Sequence, residues 1–234
     1  MIAVILLAGG HSSRMGPGVT DKSLTIVGNR SVFAWSVHAF AASGVIDVAV
    51  VVHRDDSQRE FLVRDTSACP GLPKVIWTQG GGKRSDSVRN GLQALPEETE
   101  AVFIHDCARP LIRPATLISL SEALSEHPAV ALGRKITDTV KITETTETEN
   151  LFLTQAVDRR CLWAMETPQL FEKNLILRAH AHAIQEKVTL TDDVSAVEAL
   201  GEPVLLMEAG YQNPKITTLA DLRLVESLIS ENNP

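Results

Sequence analysis

Through the first half of this chain, short apolar runs alternate with segments whose apolar residues recur at helical spacing. That alternation is the mark of βαβ units wound onto a mostly parallel sheet, and it fixes the class as α/β. Ile2 to Leu7, Ile46 to Val52, Val75 to Trp77 and Ala101 to Ile104 read as buried strands, and Leu24 to Val27 is a short apolar stretch closed by Gly28 and Asn29. Between them a helix is expected from Ser31 to Ala42, with Val32, Trp35, Ala39 and Phe40 inward. A charged surface helix opens at Asp55 and Asp56, and another carries Val88, Leu92 and Leu95 on its inner face. Pro114 opens a further helix with Leu117, Leu120 and Leu124 inward.

The second half departs from the alternation. Ala129 to Leu132 reads as a strand, but Asp138 to Thr143 and Asn150 to Val157 are strand-like runs flanking Glu144 to Glu149, which has no apolar residue. Residues 137–158 are therefore expected to form a long hairpin arm with a solvated tip. A hairpin of this kind has too little core to stand alone, so a second copy of the chain is its expected support. Helices are expected from Phe171 to Glu186 and from Asp193 to Leu200, and a late strand from Pro203 to Met207. Thr218 and Asp221 cap a final helix holding Leu222, Val225 and Ile229 inward. The whole of 1–234 is expected to be one domain.

Two glycine-rich loops sit where strands end. The first runs from Leu7 through Ala8, Gly9 and Gly10 to Arg14, Gly16 and Lys22. Its glycines let backbone N–H groups approach an anion, and Arg14 and Lys22 supply counter-charge, so it reads as a phosphate cradle. It is not a Walker loop, because Lys22 follows Asp21 rather than glycine. Nor is it a dinucleotide fingerprint, because Gly16, Pro17 and Gly18 keep the segment irregular where a helix should open. The second loop, Gly80-Gly81-Gly82-Lys83-Arg84, precedes Ser87 and a helix start. In an open α/β sheet both loops fall at the edge where ligands bind. Ala101 to Ile104 delivers His105 and Asp106 to the same edge, where one carboxylate among phosphate loops suits Mg²⁺. The alternative is an Asp106 paired with Arg109.

Composition narrows the function classes. The chain has 234 residues, 44% hydrophobic and 22% charged, with a net charge of −7. An acidic balance disfavours nonspecific nucleic-acid or membrane-surface binding, so an anionic ligand must be met by local cations. Cys69, Cys107 and Cys161 are widely spaced and suggest neither a disulfide framework nor a zinc site. The start lacks a basic leader and no apolar run approaches membrane-spanning length, so a cytoplasmic protein is expected.

The ordered pieces resemble the 2-C-methyl-D-erythritol 4-phosphate cytidylyltransferase family across nearly the whole chain. They are Leu7 to Gly10 with Arg14 and Met15; Lys22; Gly80, Gly81 and Arg84 with Asp86 to Val88; and His105-Asp106 with Ala108-Arg109-Pro110. Later come Asp138 to Lys141, Asp158-Arg159, Leu162-Trp163, Thr167-Pro168-Gln169, Thr191-Asp192 and Asn213 with Lys215 to Thr217. The resemblance implies a Rossmann-like α/β nucleotidyltransferase fold with a projecting β-arm that reaches across a homodimer. It implies Mg²⁺-dependent transfer of the cytidylyl group of CTP to methylerythritol phosphate, with release of pyrophosphate. Carried over by position, Arg14, Lys22, Asp106 and Lys215 would be catalytic, with Asp106 the metal ligand. Ala8, Gly9, Gly10, Gly81, Arg84, Ser87 and Asp106 would meet CTP, with Gly81 reading the base through its backbone. Lys215 and Thr191 would bind the acceptor together with Thr139 and Arg159 of the partner's arm. The acceptor's phosphate is the nucleophile in this reaction, so no side-chain nucleophile is needed.

The sequence also departs from the family pattern. Asp21-Lys22-Ser23 stands where Pro-Lys-Gln is usual, and Asp21 is expected to dampen the field of Lys22. Gly82 replaces a usual acid, Cys107 a usual alanine and Pro214 a usual isoleucine. The opening loop also resembles that of molybdenum-cofactor nucleotidyltransferases, but the pieces from Asp138 to Thr217 favour methylerythritol phosphate. The competing readings are a ribitol 5-phosphate cytidylyltransferase and an inactive nucleotide-binding regulator.

Overall fold

A computed structural model describes residues 1–10, 21–145 and 152–232. Arg14 and the rest of 11–20, with the arm tip at 146–151, lie outside the described residues. The chain opens with β1 (Ile2–Leu7), the first of the expected buried strands. The short apolar stretch after Lys22 ends in β2 (Ile26–Val27), which folds back on β3 (Arg30–Ser31). Gly28, at φ 63°, makes that turn, a conformation that disfavours any side chain. Ser31 then caps α1 (Val32–Ser43), its hydroxyl accepting from the Ala34 N–H at 2.9 Å and donating to Asp65 at 2.6 Å. β4 (Val48–His53) is buried along its length, and Asp55 caps α2 (Asp56–Ser67).

β5 (Lys74–Gln79), α3 (Arg84–Gln93), β6 (Ala101–Asp106), α4 (Pro114–Ala123) and β7 (Ala129–Lys135) continue the alternation. β8 (Lys141–Thr145) pairs antiparallel with β9 (Phe152–Ala156) in a ladder that shares no strand with the main sheet. This is the described part of the expected hairpin. β10 (Trp163–Glu172) was not expected as a strand, because Glu166, Thr167 and Pro168 interrupt its apolar pattern. Its register shifts between Met165 and Gln169, so these residues occupy a bulge rather than the regular ladder. Phe171, where a helix was expected to begin, consequently lies in β10, and α5 (Lys173–Gln185) starts only after Glu172. α6 (Asp193–Ala199), β11 (Leu205–Glu208) and α7 (Leu219–Asn232) complete the chain. No helix among the described residues is long and apolar enough to cross a membrane.

The seven-stranded sheet has the order β11-β7-β10-β6-β1-β4-β5. β10 alone runs antiparallel to its neighbours, so the sheet is mostly parallel, as the alternation requires. Strand period sorts its side chains onto two faces. Val4, Leu6, Val51 and Phe103 pack with Phe33 and Phe40 of α1, Leu62 of α2 and Leu117 of α4. Ala3, Ile5, Val50 and Ile104 pack on the other face with Val88 of α3, Ile176 of α5 and Val197 of α6. Phe40 meets Phe103 edge to face, with ring centroids 5.6 Å apart. A third, smaller cluster joins Val27 and Val32 to Ile216, Val225 and Ile229 beneath α7.

β1 has β4 on one side and β6 on the other, with the chain visiting β4 and β5 before returning to β6. The order therefore reverses between β1 and β6. Connections leave in opposite directions there, which opens a crevice at the carboxyl ends of the strands.

Candidate active site

That crevice holds a cavity of about 180 Å³ at the ends of β1 and β6. Ala8, Gly9 and Gly10 follow β1 into its wall, Gly81, Arg84 and Ser87 come from the second glycine loop and α3, and Asp106 ends β6. Lys22 and Lys215 come from connections far apart in sequence. Lys22, Arg84 and Lys215 thus face one carboxylate, Asp106, in a protein whose overall charge is −7. The cavity is locally cationic, as an anionic ligand demands.

Glycine is required where the walls come close. A Cβ on Gly81 would lie 2.3 Å from the Asp86 Cβ, and one on Gly9 would lie 3.0 Å from the Arg54 nitrogen. The Gly81 N–H donates to the Ser87 hydroxyl at 3.1 Å, and Asp86 accepts from the Lys83 N–H at 3.1 Å, which sets the entry into α3.

Asp106 is the electrostatic centre. Arg84 Nε donates to its Oδ1 at 2.9 Å and Lys215 Nζ to its Oδ2, while its own N–H donates to the Thr167 hydroxyl at 3.0 Å. Burial raises the carboxyl, but the charges of Arg84 and Lys215 outweigh it and hold the group well below the ordinary carboxylate range. Asp106 is ionised at any ordinary pH. The structure decides against the Arg109 pairing: Arg109 instead donates to the Asn213 carbonyl at 2.6 Å and the Met165 carbonyl at 3.2 Å, and sits 3.9 Å from Glu166.

Arg84 is shared. Its Nη1 donates at 2.8 Å to Asp193, a buried residue in the first turn of α6 that also meets His180 Nε2 at 3.1 Å. Burial lowers the Arg84 guanidinium and the two carboxylates more than restore it, so it stays charged. Sequence reasoning did not find Asp193 as a partner of Arg84, since the two lie 109 positions apart. His105, fully buried between the Ser36 and Thr167 hydroxyls at 3.3 and 3.2 Å, is pushed down to about 3 by burial and is neutral. It secures β6 against α1 rather than moving protons.

Lys215 owes its place to Ile216, which is buried in the α7 cluster and whose N–H donates to the Ala108 carbonyl at 2.8 Å. Lys22 Nζ lies 3.4 Å from the Ile216 carbonyl, so the two lysines converge on one wall. Asp21, the neighbour of Lys22, is itself held by three donors. Its carboxylate accepts from Arg54 Nη1 at 3.0 Å, Gln58 Nε2 at 2.7 Å and the Ser23 N–H at 2.9 Å.

The remaining acceptor residues are not brought to this cavity within one chain. Thr139, Arg159 and Thr191 are exposed and outside its lining. The Arg159 guanidinium donates to the Thr137 carbonyl at the root of the hairpin, and the Thr191 N–H donates to Ser195 Oγ at 3.1 Å.

A divalent cation fits the donor set. No group of three or more His, Cys, Asp or Glu able to cage a metal occurs among the described residues. Mg²⁺ commonly takes one or two carboxylates and completes its shell with water and substrate phosphates. Asp106 offers that single hard ligand, with acceptor capacity beyond its two bonded donors.

Comparison with known proteins agrees with this geometry. A family model described as IspD, 2-C-methyl-D-erythritol 4-phosphate cytidylyltransferase, matches residues 2–231. A protein of that name from Prochlorococcus marinus is 36% identical over 228 residues, covering 97% of this chain and 98% of the relative. One from Caldanaerobacter subterraneus is 35% identical over 231 residues, covering 96% and 97%. The crystal structure of the Thermus thermophilus enzyme of that name is 27% identical with a TM-score of 0.76, covering 97% of this chain and 98% of that one. A 4-diphosphocytidyl-2C-methyl-D-erythritol synthase from Anaerococcus prevotii shares the fold at a TM-score of 0.83 and 24% identity, with 98% of both chains covered. On a match that runs almost from end to end, this chain belongs to the 2-C-methyl-D-erythritol 4-phosphate cytidylyltransferase family.

Proposed function

We propose that this chain transfers the cytidylyl group of CTP to 2-C-methyl-D-erythritol 4-phosphate, a step in making isoprenoid precursors by the non-mevalonate route. A phosphate oxygen of the acceptor attacks the α-phosphorus, the bond to the β-phosphate breaks, and pyrophosphate leaves with the electron pair. The products are CDP-methylerythritol and pyrophosphate. The observation that carries this reading is the convergence of Lys22, Arg84 and Lys215 on one cavity around the Asp106 carboxylate, whose ionised form Arg84 and Lys215 favour. Such a site can hold two phosphorylated reactants whose mutual repulsion is the main obstacle to reaction.

In this reading the glycine loop at Gly10 presents backbone to the triphosphate, and Ala8, Gly9, Gly81 and Ser87 meet the base and ribose. Lys22, with Arg14, meets charge building on the α-phosphate. Lys215 faces both Asp106 and the acceptor phosphate. When bound at Asp106, Mg²⁺ would neutralise triphosphate oxygens. Thr191 reads the acceptor, and Thr139 and Arg159 do so from the hairpin of a second copy, making the working unit a homodimer with shared sites. Residues 1–234 then act as one catalytic domain whose arm, 137–158, belongs to the neighbour's site. The protein works in the cytoplasm and binds neither nucleic acid nor membrane.

The test is pyrophosphate release from CTP and Mg²⁺ with a panel of phosphorylated polyols. Methylerythritol phosphate should be the preferred acceptor. Turnover with ribitol 5-phosphate but not with methylerythritol phosphate would overturn the acceptor assignment, and no turnover with any acceptor would overturn the reaction.

A further inference from the structure

Lys22 stands at the end of a long connection from β1, and its side chain reaches into the cavity wall toward the Ile216 carbonyl at 3.4 Å. A lysine side chain has up to about 2 kcal/mol of rotamer freedom to lose, so its reach into the cavity depends on how firmly its base is held. The residues on either side of it are both tied down. Asp21 accepts from the Ser23 N–H at 2.9 Å, closing a tight turn around Lys22, and the Ser23 hydroxyl donates to the Ala8 carbonyl at 2.9 Å.

Behind this turn lies Gln58, buried in the first turn of α2 and absent from the cavity lining. Its carboxamide is fully used. Nε2 donates to the Ala8 carbonyl at 3.0 Å and to Asp21 Oδ2 at 2.7 Å, while Oε1 accepts from the Arg54 N–H at 2.7 Å. Arg54 Nη1 adds the second donor to Asp21 Oδ2 at 3.0 Å, and Asp55 holds the Gln58 N–H at 2.7 Å. One amide therefore joins three segments: the exit of β1, the turn bearing Lys22 and the exit of β4. Two of those segments form cavity wall, through Ala8 and Gly9 on one side and Lys22 and Ser23 on the other.

We infer that Gln58 and Asp21 are positioning residues for Lys22, clipping its turn to the β1 exit so that the ammonium meets the reacting phosphate. Neither touches the cavity, and each acts through the lysine. The inference rests on the proposed cytidylyl transfer, in which Lys22 stabilises the transition state. Displacing such a group by about 1 Å costs on the order of 100-fold in rate, whereas ground-state binding of a triphosphate is spread over many contacts.

The test compares Gln58→Met and Asp21→Ala, each alone and combined with Lys22→Ala. Alone, either exchange should lower kcat by about 10- to 100-fold with KM for CTP within about threefold. In the Lys22→Ala background the same exchange should change kcat less than about twofold, because a residue acting through Lys22 has nothing left to act on. Equal losses in both backgrounds, an effect confined to KM, or unchanged kcat in the folded single variants would overturn the inference. Loss of the folded state in both would overturn it too, since the contacts would then be holding the fold and not the lysine.

A second readout does not depend on activity. After isotope-labelled reductive dimethylation, the Lys22 resonance, identified by its loss in Lys22→Ala, should stand apart from surface lysines in the wild-type protein. It should merge with them in both variants, and a resonance that does not move would overturn the inference. The wild-type chain's failure to release pyrophosphate would instead overturn the proposed reaction.

Discussion

Asp106 shows how one side chain is committed by its neighbours. Its carboxylate is bonded by Arg84 and Lys215, and those charges set its ionisation below the usual range despite burial. In Asp106→Asn the two cations face each other with a neutral amide between them, at a cost of about 1.5–3 kcal/mol of stability at neutral pH. A native carboxyl with a depressed pKa stabilises fully above its unfolded value, about 3.9, and loses that contribution as pH falls through the lower folded value. The gap in Tm between wild type and Asp106→Asn should therefore be widest near neutrality and narrow below about pH 4, as a melting series in pH would record. Lys22→Ala should leave stability almost unchanged and lower kcat by about 10²–10³-fold, the usual loss when a preorganised electrostatic contact is removed. Lys22, Asp106 and the glycines were legible because loop chemistry and strand ends mark them locally. Gln58 and Asp193 were not, since each acts on partners 37 or more positions away and looks, in its own neighbourhood, like an ordinary helix residue.

At the scale of elements, α3 carries the second glycine loop into the site, and its seat on β1 depends on one small residue. A Cβ on Gly91 would lie 2.7 Å from Ile5 Cγ2 in the core. Gly91→Ala should force α3 off the sheet and cost about 1–3 kcal/mol in urea unfolding, despite alanine's better helix propensity. A gain in stability would show that the contact relaxes freely. Strands β1, β4 and β6 were legible as continuous apolar runs because they are covered by helices on both faces. β10 escaped notice because it is the antiparallel strand, and its middle is the bulge of Glu166, Thr167 and Pro168. That bulge is where the strand serves the site. Thr167 accepts from the Asp106 N–H at 3.0 Å, and Asn213 donates to the Thr167 carbonyl at 3.0 Å, linking β10 to the segment that carries Lys215. Sequence patterns fail at such places because polar residues serving a neighbour interrupt the period that would identify the strand.

For the whole molecule, one chain does not gather every residue of the proposed site into its cavity. Within a single chain the cavity gathers Lys22, Arg84, Asp106 and Lys215 but not Thr139 or Arg159, which sit exposed at the root of the β8–β9 hairpin. A two-stranded hairpin has little stability of its own, and Ile142 on β8 is 54% exposed, which suits a hairpin that packs on a second copy. If the arm completes the neighbour's site, two inactive chains can repair each other. A Lys22→Ala chain keeps a good arm, and an Arg159→Ala chain keeps a good cavity. In their heterodimer one site receives both defects and the other receives none. Heterodimers isolated by two affinity tags should therefore regain about half the activity of a wild-type dimer, while each homodimer stays inactive. If each site is built within one chain, both halves of the heterodimer carry a defect and no activity returns. The two outcomes differ by the full activity of one site, so measuring pyrophosphate release on verified heterodimers separates a shared site from a self-contained one.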